Sequence, residues 1–301
     1  MNRFKTLRRQ TGLSQVKFSQ RYHIPLGTLR DWEQMRKQPP EYVFHMLEQI
    51  VDIPWRRNMP SKLNSAISVG KRQLVDSIWK SAGIEGLGTT FPNTERILEN
   101  IPTEISRDEV LFIVNMKRAW EFLFDNIDYP VTMAYLSELN KICMTDILFD
   151  AGKIRTYPVT IGGTKWVPEL PDYEAIQRNV KAIADNPDKL ESALDMFCYV
   201  ARTQMFTDGN KRVSQLICNK ILMDHDIGIL SIPYEKIDDF KQKLVSFYES
   251  GDPSKLKTFF RETSLLLNPT YVENIEEAAC NYQFPGLIEE SYDMKDTSPK
   301  M

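Results

Sequence analysis

The sequence predicts a mainly α-helical protein: a small helix-turn-helix bundle, then a larger all-helical domain with one β-hairpin. Two observations support this fold class. From about residue 105 onward, apolar residues recur at spacings of three and four, which is the period of an amphipathic helix. Residues 155–161 and 164–168 are the exception, because they are short β-prone runs joined by Gly162-Gly163, which is typical of a hairpin turn.

Length and composition indicate a globular protein with two folded units. The chain has 301 residues, of which 26% are charged and 42% hydrophobic. No apolar run approaches the roughly 20 residues of a membrane span, so we expect no membrane partner. The basic N-terminus lacks the apolar core of a signal peptide. The four cysteines lie far apart, which favours reduced thiols in a cytoplasmic protein and gives no support for a zinc site.

Basic residues are concentrated at the N-terminus. Residues 1–40 contain nine lysines and arginines but only two acidic residues, although the whole chain has a formal net charge of −3. This asymmetry is typical of a nucleic-acid-binding module joined to another domain.

The chain divides into four predicted regions. Residues 1–51 are expected to form a helix-turn-helix domain that ends with an amphipathic helix over 41–51, and residues 52–70, rich in Pro, Ser and Asn, form a linker. Residues 71–268 form the helical domain. A C-terminal helix and a disordered tail are expected over 269–301. The apolar spacing predicts helices over 105–127, 131–148, 173–184, 190–203, 210–224 and 234–250.

Residues 4–34 predict two short helices, a tight turn and a third helix. The first helix ends at Thr11-Gly12, Ser14 caps a second helix over 15–22, and a third helix covers 26–34. This layout is that of a helix-turn-helix. The segment resembles the phage-repressor-like family at Leu13-Ser14-Gln15, Phe18, Ile24, Thr28-Leu29 and Trp32-Glu33.

This module is expected to bind DNA. In this interpretation Phe18, Ile24, Leu29 and Trp32 fill a small core. Four residues are expected to face DNA, because their side chains can bind base edges or phosphates. These are Gln15, Lys17, Thr28 and Arg30. A homodimer is also expected. The alternative is a three-helix interaction module with a solvated basic face.

Residues 204–215, which we call the signature loop, carry the strongest chemical pattern. The turn Asp208-Gly209-Asn210 leads directly into a predicted helix, whose first backbone N–H groups and positive end would form a cradle for phosphate. Asp208 is a candidate Mg²⁺ ligand, and Lys211 and Arg212 add positive charge. The alternative interpretation is a capped helix with a basic first turn.

The signature loop resembles that of the Fic family, H-x-F-x-(D/E)-G-N-(G/K)-R-x-x-R. Phe206, Asp208, Gly209, Asn210, Lys211 and Arg212 match this pattern. The resemblance covers about residues 70–265 and implies an all-helical Fic fold that binds ATP or another nucleotide with Mg²⁺ and transfers AMP to a protein hydroxyl. It also implies that the hairpin is a flap that adds a strand to a protein target, through Thr160, Ile161, Gly162, Gly163 and Thr164.

A segment ahead of this domain resembles the inhibitory helix of many Fic proteins. Its pattern, (S/T)-x-x-x-E-(G/N), is met by Ser81, Glu85 and Gly86. In the family the Glu pairs with the last arginine of the signature and misplaces the γ-phosphate. The alternative is a simple helix end marked by glycine.

Two residues depart from the family pattern. Gln204 takes the place of the histidine that accepts the proton of the target hydroxyl, and an amide cannot accept a proton near neutral pH. Gln215 takes the place of the last arginine, which removes a charge-assisted contact to phosphate and the expected partner of Glu85. The related Doc proteins, which transfer phosphate, also have a lysine at the position of Lys211.

Three functions are consistent with this sequence. The first is a catalytically impaired Fic protein that binds a nucleotide and couples this to DNA binding. The second is an active AMP- or phosphoryl-transferase that relies on positioning. The third is a DNA-binding repressor or antitoxin-like protein whose Fic body is a scaffold.

Overall fold

The computed structural model describes residues 3–10, 13–22, 24–39, 43 and 66–281. The chain divides into two compact units, Met1–Leu74 and Val75–Met301.

The N-terminal unit is helical. Its helices are α1 (Arg3–Gln10), α2 (Gln15–Arg21), α3 (Leu26–Glu33) and α4 (Ala66–Arg72). The Ser14 hydroxyl accepts the Lys17 N–H at 3.3 Å and so begins α2 as a side-chain cap. The core consists of Phe4, Leu7, Phe18, Ile24 and Leu29, with Trp32 packed against it.

Part of the predicted linker is helical. Residues 66–70 belong to α4, so the expected connector over 52–70 is too long at its C-terminal end. Ala66 and Gly70, one helical turn apart, are both buried, and burial of this face favours the helix. Residues 52–65, and the helix predicted over 41–51 apart from Val43, lie outside the described residues.

The second unit is built almost entirely of helices. In chain order these are α5 (Leu74–Glu85), α6 (Phe91–Leu98), α7 (Arg107–Asp125), α8 (Met133–Cys143), α9 (Tyr173–Ala184), α10 (Lys189–Thr203), α11 (Asn210–Asp224), α12 (Ile237–Ser250), α13 (Ser254–Phe259) and α14 (Pro269–Asn281). A 3₁₀ turn (Tyr234–Lys236) precedes α12 and a π turn (Phe260–Ser264) follows α13.

The central helix of this unit is α11. It packs against α7, α8 and α10, and most of its side chains are buried. A helix buried on nearly all sides can lie only in the interior of a domain. The N-terminus of α11, which immediately follows the turn Asp208-Gly209, is therefore fixed by the core.

The two strands of this unit lie away from the predicted hairpin. They are β1 (Gly228–Leu230) and β2 (Leu265–Leu267), which pair antiparallel with Gly228 opposite Leu267. The Asn219 side chain fastens β1 to α11, because its Oδ1 accepts the Leu230 N–H at 2.8 Å and its Nδ2 donates to the Leu230 carbonyl at 3.1 Å.

The segment over 155–168 does not form the predicted strand pair. It has a turn at Gly162-Gly163 and an antiparallel bridge between Ile154 and Phe206, but no ladder joins its two arms. Pro158 and Pro168 have no N–H to donate to such a ladder. The prediction of a mainly α-helical fold is confirmed.

Among the described residues, no helix is both long and apolar enough to cross a membrane. Cys143, Cys198 and Cys218 are buried free thiols. The tail predicted to be disordered lies beyond the described residues, which end at Asn281, the last residue of α14.

Candidate functional site

Two left-handed residues and one asparagine set the shape of the signature loop. Gln204 ends α10 with φ 47° and ψ 50°, and Gly209 precedes α11 with φ 80°. Phe206 lies between these two residues, and the Asn210 side chain bonds both of its backbone groups. Asn210 Oδ1 accepts the Phe206 N–H at 3.0 Å, and Asn210 Nδ2 donates to the Phe206 carbonyl at 2.8 Å. Asn210 therefore acts first as the brace of the loop.

A second asparagine, on α8, ties the loop to a neighbouring segment. Asn140 Nδ2 donates to the Asp208 carbonyl at 2.8 Å, and its Oδ1 accepts the Gly152 N–H at 2.8 Å. Sequence reasoning missed this residue. The available signal was an amide on the buried face of a predicted amphipathic helix, where an unpaired polar group would be costly.

The first turn of α11 is open to an anion. Helices α7, α8, α9 and α10 are each capped by a side chain, whereas α11 begins at Gly209 and has no side-chain cap. The first N–H groups of a helix have no carbonyl partner within the helix. These amides are therefore suited to bind phosphate oxygens, as the sequence predicts.

Many of the predicted site residues line one cavity of about 470 Å³. They come from the signature loop, from the end of α5 and from the segment 159–163, and they include Gln204, Asp208, Asn210, Lys211, Glu85, Thr160, Ile161, Gly162 and Gly163. The remaining wall comes mostly from α12 and includes Leu244, Val245 and Tyr248. A cavity of this size, lined by both polar and apolar residues, suits a small molecule.

The other predicted residues of the second unit are not part of the cavity lining. Gly209, Arg212, Gln215, Ser81, Gly86 and Thr164 do not line the cavity. Ser81 donates to Gln215 Oε1 at 3.0 Å, which joins α5 to α11. Thr164 donates to Glu249 at 3.1 Å and accepts the Trp166 N–H.

Glu85 pairs with the two basic residues at the start of α11. Its Oε2 lies 2.9 Å from Lys211 Nζ, and its Oε1 lies 3.6 Å from Arg212 Nε. Glu85 Oε1 and Arg212 Nε are both buried and make no hydrogen bond. The expectation that Glu85 loses its partner because residue 215 is Gln is therefore wrong, since Lys211 and Arg212 supply the positive charge instead.

The Gln204 side chain is held by its neighbours. Its Nε2 donates to the Ala201 carbonyl at 2.6 Å, and its Oε1 accepts from Asn210 Nδ2 at 3.1 Å. An amide used in this way stabilises the loop and has no proton-accepting group to offer a substrate.

Arg155 fixes the base of the predicted flap. It is only 2% exposed, and its guanidinium donates to the carbonyls of Gln204, Tyr157 and Glu169. Its backbone N–H also donates to the Met205 carbonyl at 3.0 Å. Burial lowers the pKa of Arg155. The segment is thus held by one side chain where the sequence predicts a ladder.

The residues present fit a Mg²⁺–nucleotide. Mg²⁺ in such sites is held by one or two carboxylates together with phosphate oxygens and water. The Asp208 carboxylate is 59% exposed, lines the cavity, and lies beside the open turn of α11. It also accepts the Gly209 N–H at 2.6 Å and lies 3.3 Å from Arg212. Asp208 would therefore hold the ion on the cavity side of the loop.

The N-terminal unit places three of its four predicted DNA contacts at the surface. Lys17 and Arg30 are exposed and Thr28 is partly exposed. Gln15 differs from the prediction, because its Nε2 donates to the buried Glu33 carboxylate at 2.7 Å, and Glu33 also binds Arg8. A buried carboxylate needs such donors, and this requirement turns Gln15 inward.

The protein has a helical fold, and its candidate site lies at the start of α11, a helix whose N-cap residue is Gly209. Residues 130–222 match the model of the Fic/DOC family. This range includes α8, α9, α10 and nearly all of α11, together with the signature loop.

Solved structures support the same fold. Fic-1 of C. elegans (residues 134–508) is 19% identical, with a TM-score of 0.58 over 80% of this chain and 72% of that chain. A Fic-domain signalling protein of Bacteroides thetaiotaomicron is 19% identical, with a TM-score of 0.53 over 63% and 77% of the two chains. A Fic family protein of Desulfovibrio desulfuricans is 14% identical, with a TM-score of 0.53 over 83% and 77%. No curated protein matches the chain.

Proposed function

We propose that this is a nucleotide-binding protein related to protein adenylyltransferases, impaired in AMP transfer to a target hydroxyl, that couples nucleotide occupancy to DNA binding. The observation that carries the proposal is the cavity of about 470 Å³ at the open start of α11, in which the side chain at the base position is an amide held by Ala201 and Asn210. Such a site is suited to hold a nucleotide and poorly suited to remove a proton.

ATP with Mg²⁺ is the ligand favoured by the charges around the cavity. Lys211 lines it, and Arg212 Nε lies 3.6 Å from the carboxylate of Glu85, which also lines it. Mg²⁺, when bound at Asp208, would neutralise phosphate charge. The apolar wall near Leu244 and Val245 would take the flat, weakly polar part of the nucleotide.

Glu85 competes with this ligand. Its carboxylate forms an ion pair with the Lys211 ammonium group and lines the same cavity. An anion already placed beside these cations repels a polyphosphate and removes a binding partner. We therefore expect Glu85 to lower the affinity of the wild type for nucleotide.

The partners of the protein would be DNA at the N-terminal unit and a protein target at the segment 160–164. The exposed Lys17 and Arg30 are suited to phosphate contacts. Residues 160–163 line the cavity, so a target bound there would present its side chains to the nucleotide. A homodimer in the cytoplasm is the expected state of a DNA-binding module of this type.

Calorimetric titration with Mg²⁺–ATP tests the nucleotide site. We expect the Glu85→Gln variant to bind at least about tenfold more tightly than wild type, which corresponds to about 1.4 kcal/mol. Glu95→Gln is the matched control, because Glu95 is an exposed carboxylate on the next helix. If neither wild type nor Glu85→Gln binds ATP or GTP, the nucleotide proposal is wrong and the repressor hypothesis gains.

A further inference from the structure

A carboxylate and two hydroxyls meet beside the cavity. Thr207 Oγ1 donates to Asp150 Oδ2 at 2.7 Å. The Tyr157 hydroxyl lies 3.0 Å from the same carboxylate oxygen and 2.8 Å from Thr207 Oγ1. Of these three residues, Thr207 alone lines the cavity. The Thr207 hydroxyl therefore connects the cavity to a carboxylate outside it.

Asp150 is able to take a proton. The hydrogen bond from Thr207, followed by that from Tyr157, holds the pKa of the Asp150 carboxyl below its ordinary value, so it is ionised at neutral pH. Asp150 is only 9% exposed, and its Oδ1 is buried without a hydrogen-bond partner. The oxygen that would receive the Thr207 proton is Oδ2, which already accepts the Thr207 hydroxyl at 2.7 Å.

We propose that Thr207 is itself a nucleotide-accepting hydroxyl and that Asp150 is its proton acceptor. The inference rests on the proposed nucleotide site. Thr207 Oγ1 forms a bond to the α-phosphorus of ATP, and the bond between this phosphorus and the β-phosphate bridging oxygen breaks. Pyrophosphate leaves with that electron pair, and the Thr207 proton moves to Asp150. The product is a chain adenylylated at Thr207.

A weakly basic carboxylate is sufficient for this step. Phosphoryl transfer passes through a loose transition state in which positioning and charge stabilisation matter more than the strength of the base, and protein kinases use an aspartate in this way. Thr207 is positioned by its own loop, two residues before Gly209 and the open turn of α11. Gln204, whose amide is already hydrogen bonded, is not required.

The Tyr157 hydroxyl is a neighbouring group, and adenylylation of Thr207 must be distinguished from adenylylation of Tyr157. It shares Asp150 with Thr207, but Tyr157 does not line the cavity. Trypsin separates the two, because Tyr157 lies between Arg155 and Lys165 whereas Thr207 lies between Arg202 and Lys211. Fragmentation of the second peptide also distinguishes Thr207 from Thr203.

The test is mass spectrometry of the full chain after incubation with Mg²⁺–ATP, in wild type and in Glu85→Gln, with binding measured on the same samples. We expect one adenylyl group per chain, on Thr207. Thr207→Val should abolish it, Thr207→Ser should retain it, and Asp150→Asn should slow it by about 10²-fold or more. Thr145→Val is the matched control, because that hydroxyl only bonds the Lys141 carbonyl at 2.9 Å, and it should react like wild type.

Separate outcomes would overturn the inference and the proposed function. ATP binding without adenylylation in Glu85→Gln overturns the inference alone, as does modification of Tyr157 or Thr203, or an unchanged rate in Asp150→Asn. Absence of ATP binding in both proteins overturns the proposed function and the inference with it.

Discussion

Gln204 is both a structural residue and the reason for expecting weak transfer to other proteins. Its backbone adopts the left-handed conformation that ends α10, its carbonyl accepts from Arg155, and its amide bonds Ala201 and Asn210. Histidine tolerates this conformation better than most residues do. The position can therefore be changed to histidine without a demand for new backbone geometry.

Gln204→His is expected to raise transfer of label from ATP to lysate proteins by about 10²-fold, because an imidazole near the cavity can accept a hydroxyl proton at neutral pH. The measurement is incorporation of radiolabel from ATP labelled at the α-phosphate. Gln177→His, an exposed position on α9, should leave the labelling unchanged. An equal rise in both variants would remove the argument that residue 204 limits transfer.

Gly209→Ala is expected to lower the free energy of unfolding by about 1–3 kcal/mol and to weaken Mg²⁺–ATP binding. The residue has φ 80°, and an added Cβ would lie 2.9 Å from Met144 Sδ and 3.0 Å from Asn140 Nδ2. Urea unfolding and calorimetry measure the two effects. Gly88→Ala is the control, since its Cβ would meet no atom within 4 Å. A variant as stable as wild type would show that the turn is not constrained as described.

At the scale of elements, α5 is held firmly enough to keep Glu85 in the cavity. Trp79 stacks on Tyr234 with ring centroids 4.3 Å apart, packs edge-on against Phe91, and donates to the Thr89 carbonyl at 3.2 Å. A Cβ on Gly83 would lie 2.9 Å from the Tyr234 side chain, so the helix approaches as closely as glycine permits. The position of Glu85 is thus set by packing along the whole helix.

Trp79→Ala is expected to destabilise the protein by about 2 kcal/mol or more and to tighten Mg²⁺–ATP binding, because a loosened α5 no longer holds Glu85 against Lys211. Thermal unfolding and calorimetry report the two effects. Tyr129→Ala provides the control, since this side chain is 62% exposed and its loss should change stability by no more than about 0.5 kcal/mol. Lower stability with unchanged affinity would separate α5 from the nucleotide site.

The segment 155–168 shows where a local pattern misleads. Alternating β-prone residues around Gly162-Gly163 predict a hairpin, and the turn is present without the ladder. The carbonyls of Tyr157 and Glu169 accept from the Arg155 guanidinium instead. A buried cation requires acceptors, and here the nearest ones are backbone carbonyls of the segment itself.

At the scale of the whole molecule, the two compact units carry different charge. The basic N-terminus has its own core around Phe18 and Leu29, and the cavity lies within the second unit. Binding to each unit can therefore be measured separately in the full chain.

The full chain is expected to bind duplex DNA with a steep dependence on salt. Changing both Lys17 and Arg30 to Ala should reduce the slope of log K against log salt by about two, since each phosphate contact contributes about 0.9. Fluorescence anisotropy with a labelled duplex at several salt concentrations measures the slope. The control changes Arg178 and Lys181, two exposed cations on α9, to Ala. An equal reduction of the slope in both variants would indicate general charge attraction and not contacts made by Lys17 and Arg30.

The sequence by itself determined the helices α7 to α12 of the second unit, the cap at Ser14, and the membership of Gln204, Asp208 and Lys211 in one short stretch of chain, because spacing and turn chemistry are local properties. It did not determine the pairing of Glu85 with Lys211 and Arg212, the inward turn of Gln15, or the meeting of Asp150 with Thr207. These contacts join residues far apart in the chain. Only the packed core decides which charges and hydroxyls must find each other, because burial forces each polar group to take the nearest partner.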